Sequence, residues 1–108
     1  MLQKKYRLTA VSISNPKNFK SLFFNLKIGE NSLGVSRFAF VVSKKIDPRA
    51  TERNMLRRKA RSCIEEIFDS IRQGNDFIFY PKQEAIRITR GQFLEEVKSF
   101  LTREKLLK

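Results

Sequence analysis

Within "ATERNMLRRKARSCIEEIF", residues 50–68, the cations Arg53, Arg57, Arg58, Lys59 and Arg61 crowd together around Asn54, and the acids Glu65 and Glu66, with Asp69 just beyond the stretch, come after them. A helix N-terminus carries partial positive charge on its unpaired N–H groups and favours Asp and Glu, so this order opposes the macrodipole at both ends. Each misplaced charge costs roughly 0.3–1 kcal/mol at an exposed site, so helix stability does not account for the pattern. Phosphate recognition does. Arginine offers a planar fork of donors, lysine a mobile point charge, and phosphodiester oxygens accept from both. Lys44 and Lys45 end the preceding segment and reach the same patch through a short loop. The plainer alternative is a solvated basic face. The lack of a neutralising acid at i,i+4 within the first half of the helix weighs against it.

A second set of side chains suits bases rather than phosphates. In "LFFNLKI" the ring of Phe23 shares a strand face with Asn25 and Lys27, and Arg37 follows on the next strand. A ring beside an amide and a cation can stack a base and hold its phosphate. Phe23 covering the underside of the sheet is the competing reading, and both stand at this point.

Composition narrows the partners. With 23 Lys and Arg against 11 Asp and Glu, the 108-residue chain carries a formal net charge of +12, and residues 1–29 contain six basic groups and no acid. Such an excess favours a polyanion, nucleic acid above all. A hydrophobic content of 41% with ten Phe is too apolar for a disordered tail, so one folded domain is expected. The single cysteine, Cys63, falls among apolar helix positions and reads as a buried small hydrophobe in a reducing compartment. No apolar run approaches the roughly 20 residues of a membrane span, and "MLQKKYRLT" lacks a signal-peptide core, so the expected setting is cytoplasmic. There is no histidine, and acids pair only as Glu65-Glu66 and Glu95-Glu96, which leaves protein-based catalysis little to work with.

The elements that hold these groups follow from periodicity. Residues 1–20 read as an irregular or short arm and residues 21–108 as one α/β domain. From Leu22, alternation puts Leu22, Phe24, Leu26 and Ile28 on one strand face. "GENSLG" reads as a hairpin turn, and "RFAFVVSKK" as the returning strand with Phe38, Phe40 and Val42 on the core side. Asp47-Pro48 or Thr51 is expected to open the long helix, and Leu56, Ala60, Cys63, Ile64, Ile67 and Ile71 form its apolar stripe up to about Gln73. "DFIFYPK" is a third strand, with Pro81 marking its end or a sheet edge. Thr89 caps a last helix carrying Phe93, Val97, Phe100 and Leu101.

In this order, "SRFAFVVSKKIDPRATERNMLRRKARSCIEEI" resembles the protein component of bacterial ribonuclease P. Ser43, Lys44, Lys45, Arg53, Asn54, Arg57, Arg58 and Arg61 match that family's strand-end and helix signature. The resemblance covers about residues 21–105, with "KKYRLT" similar to the family's basic opening. Met55 stands where the family usually has a second arginine, and the region before the first strand is shorter than the family's usual N-terminal helix.

The resemblance implies an α+β fold, a small sandwich with a mixed central sheet against a long basic helix and a C-terminal helix, joined by an uncommon βαβ crossover. It implies an accessory subunit of a ribonucleoprotein endoribonuclease, in which a catalytic RNA and its Mg2+ remove the 5′ leader from precursor tRNA. The protein itself would hold no tight cofactor. RNA contacts would fall to Lys44, Lys45, Arg53, Asn54, Arg57, Arg58 and Arg61, and leader contacts to Phe23, Asn25, Lys27 and Arg37.

Three other classes share some of these features. "RFAFVV" resembles the aromatic signature of an RNA recognition motif, but Arg37 runs directly into Phe38 without the required glycine. An unaided ribonuclease would need a base, nucleophile or metal cluster that the sequence does not supply. A ribosome-associated RNA binder shares the charge logic but gives no reason for a leader-binding sheet face.

Overall fold

The computed structural model describes residues 3–8, 13 and 15–108. Four strands, β1 (Lys17–Lys20), β2 (Phe24–Glu30), β3 (Arg37–Phe40) and β4 (Asn75–Pro81), form one mixed sheet in the order β1-β2-β4-β3. Helices α1 (Ala50–Ile67) and α2 (Arg90–Arg103) complete it. β2 pairs antiparallel with β1 and β4, whereas β3 runs parallel to β4, so α1 is the crossover between parallel neighbours.

The expected hairpin between "LFFNLKI" and "RFAFVV" does not form, because β4 lies between those strands. The side chains of β4 explain its place. Phe77 and Phe79 face the main core while Ile78 is buried on the opposite side, and a strand apolar on both faces belongs in the centre of a sheet. Pro81 therefore ends a central strand, opposite Phe24, and does not mark an edge. The 31–36 connection spans the width of β4. Asn31 fastens it, donating from Nδ2 to the Val35 carbonyl at 2.8 Å and to the Asp76 carboxylate at 2.9 Å.

α1 and α2 cover one sheet face. Leu56, Ala60, Cys63 and Ile64 from α1 and Phe93, Val97 and Phe100 from α2 meet Phe24, Leu26, Phe77 and Phe79 in one core. Phe24 sits at its centre, with ring centroids 5.5 Å from Phe79 and 5.6 Å from Phe93. The first strand starts at Phe24 rather than Leu22, which is 63% exposed in the turn from β1. That turn also places residues 17–20 in the sheet, beyond the arm assigned to them from sequence, with Phe19 packed edge-on against Phe100 at 5.1 Å.

Both ends of α1 differ from the periodicity reading. Its N-cap is Arg49, with no side-chain cap, because the Asp47 carboxylate instead accepts the Arg49 backbone N–H at 2.8 Å. The α-helix stops at Ile67 rather than near Gln73. A 3₁₀ turn, Phe68–Ser70, follows, and Ile71 and Arg72 pair with the C-terminal tail: Arg72 N–H donates to the Leu106 carbonyl at 2.8 Å and Lys108 N–H to that of Ser70 at 2.7 Å. Ile71 stays fully buried without being helical. α2 opens as read, with a capping box in which Thr89 and Gln92 bond reciprocally to each other's backbone N–H.

The other sheet face carries a smaller apolar cluster of Leu8, Ala39 and Ile78, bordered by Ile13, Val41 and Tyr80. Leu8 reaches it because the segment joins the edge of β3, its N–H donating to the Phe38 carbonyl at 2.8 Å. The described arm residues Leu8 and Ile13 thus pack on that face beside Ala39 of β3 and Ile78 of β4.

Candidate nucleic-acid interface

The cations of α1 divide by what already holds them. Lys44, Lys45 and Arg58 are exposed, and none of Lys44, Lys45, Arg53, Arg57, Arg58 or Arg61 joins an ion pair among the described residues. Arg57 donates to the Asn54 side chain. Arg53 donates to the carbonyls of Asp47 at 3.1 Å and Pro48 at 2.8 Å, fastening the first turn of α1 to the loop from Lys44 and Lys45. Arg61 lies over the Phe40 ring, 5.6 Å from its centroid. Lys59 points elsewhere. Its ammonium reaches the carbonyls of Ala85 at 2.9 Å and Ile88 at 2.8 Å, tying α1 to the approach of α2, and burial lowers its pKa.

Two acids of the α1 region are taken by arginines outside that set. Glu66 pairs with Arg90 at 2.8 Å, and Asp47 with Arg49 at 2.8 Å. The Arg49 side-chain and backbone hydrogen bonds bring the Asp47 carboxyl down to about 2. Burial raises the Cys63 thiol to about 11, so it is a packed group and not a thiolate.

On the opposite sheet face, register collects residues from three strands. Lys20 lies opposite Asn25, Asn18 opposite Lys27, and Asn25 opposite Tyr80. They line an open groove of about 390 Å³ together with Phe19. The Lys27 ammonium lies 5.7 Å from the Tyr80 ring centroid, and the Asn25 Oδ1 atom is buried without a hydrogen-bond partner. Phe23 is not a lining residue: it precedes β2 and packs, half-buried, against the main core. Arg37 is held in a two-pronged pair by Asp76 at 2.8 and 2.9 Å. Burial pushes the Asp76 carboxyl up, but its bonds to Arg37 and Asn31 outweigh that and leave it below the usual carboxylate value.

Sequence reasoning thus united Asn25 and Lys27 and missed Tyr80, Asn18 and Lys20. Tyr80 alternates with Phe79 along β4, a signal present in the sequence, but only the strand order sets it beside Asn25. Among the described residues no three of His, Cys, Asp and Glu gather as a group that could hold a metal ion. No helix among them is long and apolar enough to cross a membrane.

Fold and surface together define a compact basic α+β domain with one cationic helix flank and one grooved sheet face. A family model described as Ribonuclease P matches residues 2–105. The chain belongs to the ribonuclease P protein family. It is 35% identical over 77 residues to the ribonuclease P protein component of Synechococcus elongatus, covering 70% of this chain and 63% of that one. To the component of Dehalococcoides mccartyi it is 32% identical over 82 residues, covering 76% and 66%. The chain therefore spans just under two thirds of the length of these curated relatives. Among solved structures, the RNase P protein from Thermotoga maritima superposes with a TM-score of 0.75 at 25% identity, over 82% of this chain and 84% of that one. The RNase P protein from Staphylococcus aureus matches the fold at a TM-score of 0.73 and 23% identity, over 100% and 96%.

Proposed function

We propose that this chain is the protein subunit of a ribonuclease P, working in the cytoplasm on the 5′ leader of precursor tRNA. The α1 flank with Lys44 and Lys45 seats against the catalytic RNA. The groove of Asn25, Lys27 and Tyr80 takes the leader, while Phe23 serves the core and Arg37 the pair with Asp76. The RNA performs the hydrolysis with its own Mg2+, while the protein binds and orients.

The observation carrying this reading is the state of the flank: its cations stand outside the ion pairs seen among the described residues, while Asp47 and Glu66 are taken by Arg49 and Arg90. A polyanion supplies the missing charge. Family membership favours ribonuclease P RNA as that polyanion. The recognition-motif alternative is disfavoured by Phe38, which is 2% exposed and stacked on Phe77 within the core, out of reach of a base.

The test is cleavage of precursor tRNA by a bacterial ribonuclease P RNA at low magnesium, with and without this protein. Restored leader removal supports the proposal. Cleavage by the protein without RNA, or no effect on the RNA, contradicts it.

A further inference from the structure

Several arginines of the described fold spend their N–H groups on the chain itself. Arg37 and Arg49 face carboxylates, Arg53 and Arg72 face carbonyls, and Arg90 faces Ser62 and Glu66. Two are held by rings instead: Arg103 lies over Phe100 at the end of α2, 5.8 Å from its centroid, and Arg61 lies on the cationic flank. Its guanidinium lies over the Phe40 ring, and among the described residues no acceptor takes its hydrogens.

Phe40 is itself fixed. It stands opposite Phe79 in the parallel β3–β4 register and stacks on that ring at 5.6 Å with 14° between planes. Phe79 is 1% exposed and touches Phe24 at the centre of the core. A chain of rings therefore runs from the core to a half-exposed ring that carries a cation.

Stacking restrains a guanidinium through its flat face and leaves its in-plane N–H donors available, whereas a hydrogen bond or ion pair consumes them. A long arginine otherwise loses considerable rotamer freedom on binding, and a cation already seated loses less.

We infer that Phe40 is a positioning residue that holds Arg61 ready for two-pronged binding of an RNA backbone phosphate, an inference that rests on the RNA-facing reading of this flank. The charge of Arg61 alone is not sufficient: its planarity on the ring is what the site uses. Lys44, Lys45 and Arg58 have no such support and act as mobile charges.

A double-mutant cycle tests this, read as affinity for a bacterial ribonuclease P RNA, with circular dichroism confirming that each variant is folded. In the parent, Arg61→Lys keeps the charge yet lowers affinity about fivefold, the scale of a partly desolvated cation–π contact. In a Phe40→Leu background the same change costs less than about twofold, because the platform is already gone. Phe40→Tyr preserves the parent's affinity and its sensitivity to Arg61→Lys. Phe40→Met, which keeps volume but offers no ring face, provides a second background if Phe40→Leu does not fold.

In the free protein, ring-current shifts of the Arg61 side-chain protons should vanish in Phe40→Leu or Phe40→Met. Equal Arg61→Lys losses with and without the ring, or no loss in the parent, overturn the inference, as does the absence of a ring-current shift. Arg61→Ala separates the two levels. No change in affinity or salt dependence removes this arginine from the RNA face, whereas a loss accompanied by an additive cycle leaves the flank standing and removes only the platform.

Discussion

The cationic flank of α1 and the groove on the far side of the sheet are both polar surfaces, but they are built by different means. On the flank, one helix and the loop before it supply every group, so spacing along the chain fixes spacing in space. In the groove, Lys20, Asn25 and Tyr80 come from three strands, and only sheet order makes them neighbours. The flank offers charge with one ring beneath it. The groove offers a ring, amides and two lysines, including a buried Asn25 oxygen without a partner. Charge suits any stretch of RNA backbone, whereas a ring beside an amide suits an unpaired base.

This contrast predicts a double dissociation. Tyr80→Ala should weaken binding of leader-bearing precursor tRNA to the assembled ribonucleoprotein by about 1–3 kcal/mol, the usual cost of a lost base stack, and leave mature tRNA unchanged. Arg58→Ala should weaken assembly with the catalytic RNA and leave the leader preference intact. Parallel binding titrations with both tRNAs decide the matter, and equal losses on both for Tyr80→Ala would dissolve the distinction.

Lys59 sharpens the boundary of the flank. Although it sits between Arg58 and Arg61, its ammonium is committed to the carbonyls of Ala85 and Ile88. Lys59→Met should cost about 2 kcal/mol in urea denaturation, since it strands buried carbonyls, while leaving the salt dependence of RNA binding unchanged. Phe23→Ala should lower stability by about 1–2 kcal/mol through lost core contact and reduce leader affinity less than Tyr80→Ala does. The reverse ranking would return Phe23 to the centre of the groove.

The smallest expected effect concerns the loop latch. The Asp47 carboxyl is depressed to about 2 in the fold against about 3.9 unfolded, so its contribution is present above pH about 4 and is lost as pH falls toward about 2. The stability difference between the parent and Asp47→Ala should therefore shrink across that window in acid denaturation. A difference that stays constant down to pH about 2 would show that the Arg49 pair does not hold the loop.

The flank was readable from sequence because a helix converts spacing into geometry: Arg57, Arg58 and Arg61 fall beside a stripe of Leu56, Ala60 and Ile64 wherever the helix docks. What sequence misplaced depended on long-range pairing. A turn-like "GENSLG" points to a β2–β3 hairpin, yet the all-apolar run Phe77-Ile78-Phe79 marks β4 as central and competes for the same edge. Periodicity overextends α1 because Ile71 continues the apolar period while pairing with the C-terminal tail outside the helix. Tyr80 went unnoticed for a similar reason, since its neighbours Asn25 and Lys27 lie more than fifty residues away along the chain.

The most direct test of the central claim is the salt dependence of binding to a bacterial ribonuclease P RNA, measured for the parent and for the Arg58→Ala, Arg61→Ala double variant. If these side chains meet phosphates, the slope of log affinity against log salt flattens by about 1.5, two contacts at roughly 0.7–0.9 each. An unchanged slope would contradict the account, whatever happens to the affinity itself.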